Sequence, residues 1–342
     1  MNVTRRIAGL TALVLATAVL AGCSGTAPGG DSGGGGGKTD YTIAMLPRAT
    51  NIPYFDAAAS GGKDASKELG FKFKVVGPTE VTAAAQLPFI QTLISQKVNA
   101  IVLSANDVNA LLPSLKKAKQ AGIAIVTFDS DTAPSGRSIF ISPASSEDIG
   151  RGMMKLLGEQ MNFKGDYAIL SSSATSPNET AWTKGIDVQK TDPAYAGMTY
   201  VKTVYGADEE ASFNATIGLL QAYPNLKGII GTNSFAISAA ARAVQSKGMT
   251  GKVSVTGLGT PNDMRKYVED GTAPSFELWS PRDLGYCGVY AAAGLLNKKL
   301  TGAAGESFKC GTVGTLKIGK DGVTQLGKPT VFNKDNIGDF NF

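Results

Sequence analysis

Short apolar runs alternate with helix-periodic segments along most of this chain, and that alternation restricts its fold more than any other feature. Strand-like runs fall at Tyr41–Leu46, Phe71–Val76, Ala100–Ser104 and Ile123–Phe128, with helical periodicity over Tyr54–Leu69, Ala83–Gln96 and Val108–Gln120 between them. A strand roughly every 25 to 30 residues with a helix between is the pattern of stacked βαβ units on a parallel sheet. Gly70, Gly77 and Gly122 stand where helices stop or strands turn. A second series begins at Ile139–Ser142 and continues with helix Glu147–Met161, strand Tyr167–Ser171, helix Thr180–Lys190 and strand Thr199–Tyr205. Helix Ala211–Tyr223, strand Gly228–Gly231, helix Ala236–Lys247 and strand Val253–Leu258 complete it. The fold class is α/β: two doubly wound parallel-sheet lobes joined near Ile141–Pro143, with a ligand cleft between their switch points.

Within the first series, Ile123 to Asp131 carries the most information. Ile123–Phe128 is apolar or β-favouring throughout, as a strand covered on both faces requires. Asp129, Ser130 and Asp131 follow at its carboxyl end, where open α/β sheets bind ligands. Either carboxylate can cap a turn. Either can also accept hydrogen bonds from the vicinal hydroxyls of a ligand, and such charge-assisted bonds are strong.

The first residues bear on location. Arg5 and Arg6 precede an apolar segment, Ile7–Leu20, and then Leu20-Ala21-Gly22-Cys23. The order is that of an export signal, and the segment falls short of the ~20 residues a membrane span needs. The last four residues resemble a bacterial lipobox, so residues 1–22 are expected to be removed and Cys23 to carry a diacylglycerol. Two or three acyl chains, at ~0.8 kcal/mol per buried methylene, tether a protein stably to a membrane. Residues 23–39 are a Gly- and Ser-rich linker that cannot bury a core. Its Gly33–Thr39 stretch fails as a phosphate loop because Ser32 stands where the first glycine should be.

Composition removes several function classes. Without Arg5 and Arg6 the formal charge of +5 falls to about +3, with no basic clusters, which argues against a nucleic-acid partner. The chain has no histidine, the commonest general base and metal ligand. It shows no nucleophile elbow, C-x-x-C pair or dinucleotide fingerprint, so neither a metal nor a cofactor is expected. Beyond Cys23 only Cys287 and Cys310 remain, and in an exported chain two cysteines are expected to pair.

Five stretches lie in the order and at the separations seen in one family. They are Gly77-Pro78-Thr79-Glu80, Asp129-Ser130-Asp131-Thr132, Thr260-Pro261-Asn262, Leu278-Trp279 and Phe332-Asn333-Lys334-Asp335-Asn336-Ile337-Gly338. On these the chain resembles the periplasmic sugar-binding proteins of ABC importers, which have the ribose-binding type of fold (type I). It is most similar to the branch holding autoinducer-2-binding and rhamnose-binding proteins, over roughly Tyr41 to Phe342. The resemblance implies a hinge crossed three times. It gives a first lobe of residues 41–141 plus 279–311 and a second of 142–278 plus 312–342. It also implies a monomer that serves a membrane permease.

The same resemblance suggests site residues. In the first βα loop Arg48 would fork hydrogen bonds to ligand oxygens, Tyr54 and Phe55 would stack on a sugar ring, and Asn51 serves either the ligand or the turn. Ser172–Trp182 opens a second-lobe helix, where autoinducer-2 binders carry an acidic residue followed by an amide. Here the order is reversed, as Asn178 and Glu179, which also suit helix capping. After the next strand come Thr232, Asn233 and Ser234, where those binders have a proline and an alanine. Asn233 can contact ligand or cap a helix. Thr260, Asn262 and Trp279 lie at the remaining strand ends. These departures favour a five- or six-carbon sugar or sugar alcohol, rhamnose-like, with autoinducer-2 as runner-up. Two other readings stay open at this point: an extracytoplasmic enzyme working with carboxylates alone, and a sensor input to a membrane kinase.

Overall fold

The computed structural model describes residues 40–342; the expected signal, lipobox and Cys23 lie outside the described residues. The first lobe begins β1 (Thr42–Leu46), α1 (Pro53–Leu69), β2 (Lys72–Val75), α2 (Ala83–Ser95), β3 (Ala100–Leu103), α3 (Leu112–Gln120), β4 (Ala124–Phe128) and β5 (Ile139–Ser142). All four strands β1 to β4 lie within a residue or two of their expected bounds. Helix α3 starts four residues later than its periodicity suggests. Asp107 Oδ1 accepts from the amides of Asn109 and Ala110, which holds a turn there, and Pro113 then occupies the first helical turn.

The second lobe runs α4 (Ser146–Gln160), β6 (Gly165–Ser171), α5 (Pro177–Gln189), β7 (Met198–Tyr205), α6 (Glu209–Ala222), β8 (Leu226–Gly231), α7 (Ser234–Ser246), β9 (Ser254–Gly257), α8 (Pro261–Glu269) and β10 (Ser275–Leu278). The chain then returns to the first lobe as α9 (Pro281–Leu296), β11 (Ser307–Cys310), β12 (Gly314–Lys317) and β13 (Val323–Gln325), and ends beside the second as β14 (Thr330–Asn333).

Both sheets are parallel and doubly wound. The first has the order β13-β5-β4-β3-β1-β2 and the second β7-β6-β8-β9, extended by a bridge from Leu258 to Glu277 into the antiparallel pair β10–β14. The central strands are buried on both faces, which is why Ala100–Leu103 and Ala124–Phe128 read as unbroken apolar runs. Strand order reverses beside β1 in one sheet and beside β6 in the other, so the carboxyl ends of β1, β3, β6 and β8 form the two switch points.

Two boundaries differ from the sequence expectation. Strand β5 pairs with β4 and so closes the first series instead of opening the second. Strand β13 pairs with β5, so the chain stays in the first lobe to Gln325 and not merely to residue 311. Three residues of edge strand, Val323–Gln325, carry too little pattern to be told from a loop by eye.

Helices α1 and α9 pack closely enough that a Cβ at Gly61 would lie 1.9 Å from the Arg282 carbonyl oxygen. The disulfide Cys287–Cys310 ties α9 to β11, with Cα atoms 5.4 Å apart. The 23-residue separation gives a chain-entropy stabilisation of roughly 3 kcal/mol. Replacing both cysteines by serine should lower the urea-unfolding free energy by about that amount; an unchanged midpoint would show that the staple is idle.

Candidate functional site

The two switch points face each other across a narrow cavity between the lobes. The first lobe contributes Arg48, Ile52, Tyr54, Phe55, Val81 and Asp129; the second contributes Asn178, Trp182, Thr232, Asn233, Ser234, Phe235, Leu258 and Leu278; Trp279 sits at the crossing between them. Most of the wall is apolar and aromatic, with few polar groups, which is how sites for small ligands are generally built.

Asp129 stands at the end of β4 with φ 60°, a left-handed conformation that Asp and Asn tolerate better than other side chains. Its Oδ1 accepts from Tyr54 Oη at 2.8 Å and its Oδ2 from Ser104 Oγ at 2.8 Å. Tyr54 Oη in turn accepts from Trp279 Nε1 at 2.7 Å, so one chain of bonds fixes the carboxylate, the phenol and the indole together. Burial raises the Asp129 pKa above the ordinary carboxylate value, although Arg48, Ser104 and Tyr54 pull against it. Burial, with the Asp129 charge beside it, keeps the Tyr54 phenol firmly protonated. The rings of Tyr54 and Trp279 meet edge-on at 6.4 Å, and Trp182 lies 5.5 Å from Trp279 on the other side.

Glu179 is fully enclosed and reaches the cavity only through its partners. It accepts from Ser171 Oγ (2.6 Å), the Ser172 amide (2.8 Å), Ser172 Oγ, Ser176 Oγ (3.0 Å), Thr232 Oγ1 (2.7 Å), Asn233 Nδ2 (3.1 Å) and Arg48 Nη1 (2.9 Å). Burial alone would raise its pKa, but Arg48 and the serine donors outweigh burial and hold it at about 2. Glu179 is thus a buried anion that orients wall residues. Asn178 is different: its Oδ1 accepts from the Glu179 amide and shares the single Ser176 Oγ proton with Glu179, which leaves its amide nitrogen available to the cavity. Asn233 Oδ1 caps α7 by accepting from the Ala236 amide, so that side chain serves the helix and Glu179.

Of the residues the sequence suggested, Arg48, Tyr54, Phe55, Asp129, Asn178, Trp182, Thr232, Asn233, Ser234 and Trp279 line one cavity. Five do not. Asp131 turns away to pair with Arg137 (Nη2–Oδ2 2.6 Å) and to accept from Thr127 Oγ1, because Arg137 is buried and needs a counter-ion. Thr260 is fully buried and donates to Asp263 at the start of α8. Asn262 binds the chain end, its amide donating to the Phe342 carbonyl and its side chain meeting Asn341. Asn51, at φ 64°, is turn chemistry; it and Asn262 line the wider outer cleft. Glu179 is the fifth, as described.

Residues missed by sequence reasoning include Ser104 and Asn106, which end β3 as Asp129 ends β4, so the same strand-end rule applied to β3 finds them. Asn106 is held by Gln86, whose Oε1 accepts from its amide, and no local pattern marks Gln86, which lies buried inside α2.

The profile of the periplasmic binding protein domain matches residues 43–300. A D-ribose/D-allose-binding protein of Pseudomonas aeruginosa is 26% identical over 67% of this chain and 74% of its own length. Among solved structures, an ABC transporter solute-binding protein from Clostridium phytofermentas with bound L-rhamnose is 34% identical, with a TM-score of 0.85 over 88% of this chain and 98% of that one. LsrB from Clostridium saccharobutylicum in complex with AI-2 is 27% identical, with a TM-score of 0.83 over 88% of this chain and all of that one (100%). The chain belongs to the periplasmic binding protein domain family, among the solute-binding proteins of sugar ABC transporters.

Proposed function

We propose that this chain captures a small polyhydroxylated ligand, a rhamnose-like sugar or sugar alcohol, between its lobes and presents it to the permease of an ABC importer. Cys23, with its acyl chains, would hold it as a monomer on the outer face of the plasma membrane. The observation that carries the reading is the pairing of Asp129 and Asn178, an acceptor and a donor from opposite lobes, inside an aromatic wall. Hydroxyl groups satisfy both, while Phe55, Trp182, Leu258, Leu278 and Trp279 suit C–H faces and the methyl group of a deoxy sugar. Closure is then selected by the ligand, because only the closed form makes both sets of contacts. The likeness to the L-rhamnose complex supports this choice, and the likeness to the AI-2 complex supports AI-2 as a second reading. Thr232 weighs against the second, since its hydroxyl is committed to Glu179.

Calorimetry of the protein against deoxyhexoses, pentoses, polyols and AI-2 tests the reading. One-to-one binding of a deoxyhexose, pentose or polyol is the expected result. Binding of AI-2 alone would replace the ligand, and silence across the panel would remove the receptor assignment.

A further inference from the structure

Away from the three crossing segments, every hydrogen bond between the lobes passes through one guanidinium among the described residues. Arg48, on the loop after β1, places Nη1 2.9 Å from Glu179 Oε1 and Nη2 2.9 Å from Ser172 Oγ in the second lobe. Its third nitrogen, Nε, donates to Asn106 Oδ1 of its own lobe at 2.9 Å, and Asn106 Nδ2 donates back to the Arg48 carbonyl at 2.8 Å. The guanidinium plane is therefore fixed to the first lobe. Glu179 is fixed to the second by the hydroxyls of Ser171 and Thr232 and the amide of Ser172. The two side chains are 6% and 0% exposed.

A charge pair prepared in this way on both surfaces loses little side-chain freedom when the surfaces meet. Parting the lobes would take from Glu179 its cationic partner while leaving its bonds to Ser171, Ser172 and Thr232 within the second lobe. We propose that Arg48 and Glu179 form a latch that biases the lobes towards closure, whichever ligand the cavity holds. Arg48 then acts on affinity by setting the fraction of protein in the closed form, since apparent affinity scales with that fraction.

The test needs no ligand. Spin labels at Glu80→Cys and Ala207→Cys, exposed positions on either side of the outer cleft, report lobe separation by double electron–electron resonance in the full chain carrying Cys23→Ala. Arg48→Met should lower the closed-to-open ratio about tenfold, the factor that 1.4 kcal/mol represents. Glu179→Gln should do the same, the two together should add little, and Arg48→Lys should restore part of the ratio through a single bond to Glu179. Thermal melts identify any variant that has unfolded. A distance distribution for folded Arg48→Met that matches the unsubstituted protein would overturn the latch. Because no sugar is present, that result would leave the receptor reading untouched.

Discussion

Glu277→Gln should make the protein more stable at pH 8 by several kcal/mol and change it little near pH 4.5. Glu277 lies on β10, 4% exposed, with its carboxyl against Gly152 of α4. A Cβ at Gly152 would come within 2.5 Å of Oε2, so the glycine is what makes room for the group. Its Oε1 has no hydrogen-bond partner among the described residues. Burial alone moves its pKa from 4.5 up to about 8, so the fold prefers the neutral acid. An acid with a raised folded pKa contributes in full below its unfolded value and loses that contribution as pH rises towards the folded value. Stability should therefore fall by up to ~1.4 kcal/mol per pH unit between about 4.5 and 8, an upper limit of roughly 5 kcal/mol. Glutamine mimics the neutral acid and removes the slope. Urea titrations at half-unit pH steps check this, and parallel curves for the two proteins would refute it.

Asp129→Asn should abolish ligand capture while leaving the fold intact. Asparagine tolerates the left-handed backbone at φ 60° as aspartate does. Its amide, however, must turn a donor towards Tyr54 Oη or Ser104 Oγ, which both donate to this position. Two bonds to ligand hydroxyls, each worth ~1.5 kcal/mol or more when the acceptor is charged, correspond to at least about a hundredfold in affinity. Calorimetry with the best sugar from the panel measures the loss, alongside a thermal melt. Affinity within fivefold of the unsubstituted protein would mean that the carboxylate is not a ligand contact.

Much of this was legible in the chain, for specific reasons. Parallel strands covered by helices leave continuous apolar runs, so Ala100–Leu103 and Ala124–Phe128 declare themselves. Strand ends in a doubly wound sheet converge on one place, which is why Asp129, Arg48 and Thr232 could be named from spacing and resemblance. What could not be read is which of two neighbouring polar groups faces inward. Asp129 and Asp131 differ only because Arg137, six residues beyond Asp131, needs a counter-ion. Asn178 and Glu179 differ by one step around α5, and that step sends the carboxylate under the wall and leaves the amide in it. The edge strand Val323–Gln325 escaped because its neighbours in the sheet, not its own three residues, determine it.

That strand also governs when the first lobe can be finished. It follows β5, its partner in the sheet, by more than half the length of the chain, and α9 comes only shortly before it. During synthesis from the amino terminus, the first sheet therefore waits for its covering helix and its outer strand until the whole second-lobe series from α4 to β10 has been made. No prefix that stops short of Gln325 holds the complete first lobe, so docking of the late segments closes the first sheet in a single late step. A first lobe arranged in this way stays incomplete, and so threadable, while the second is being made.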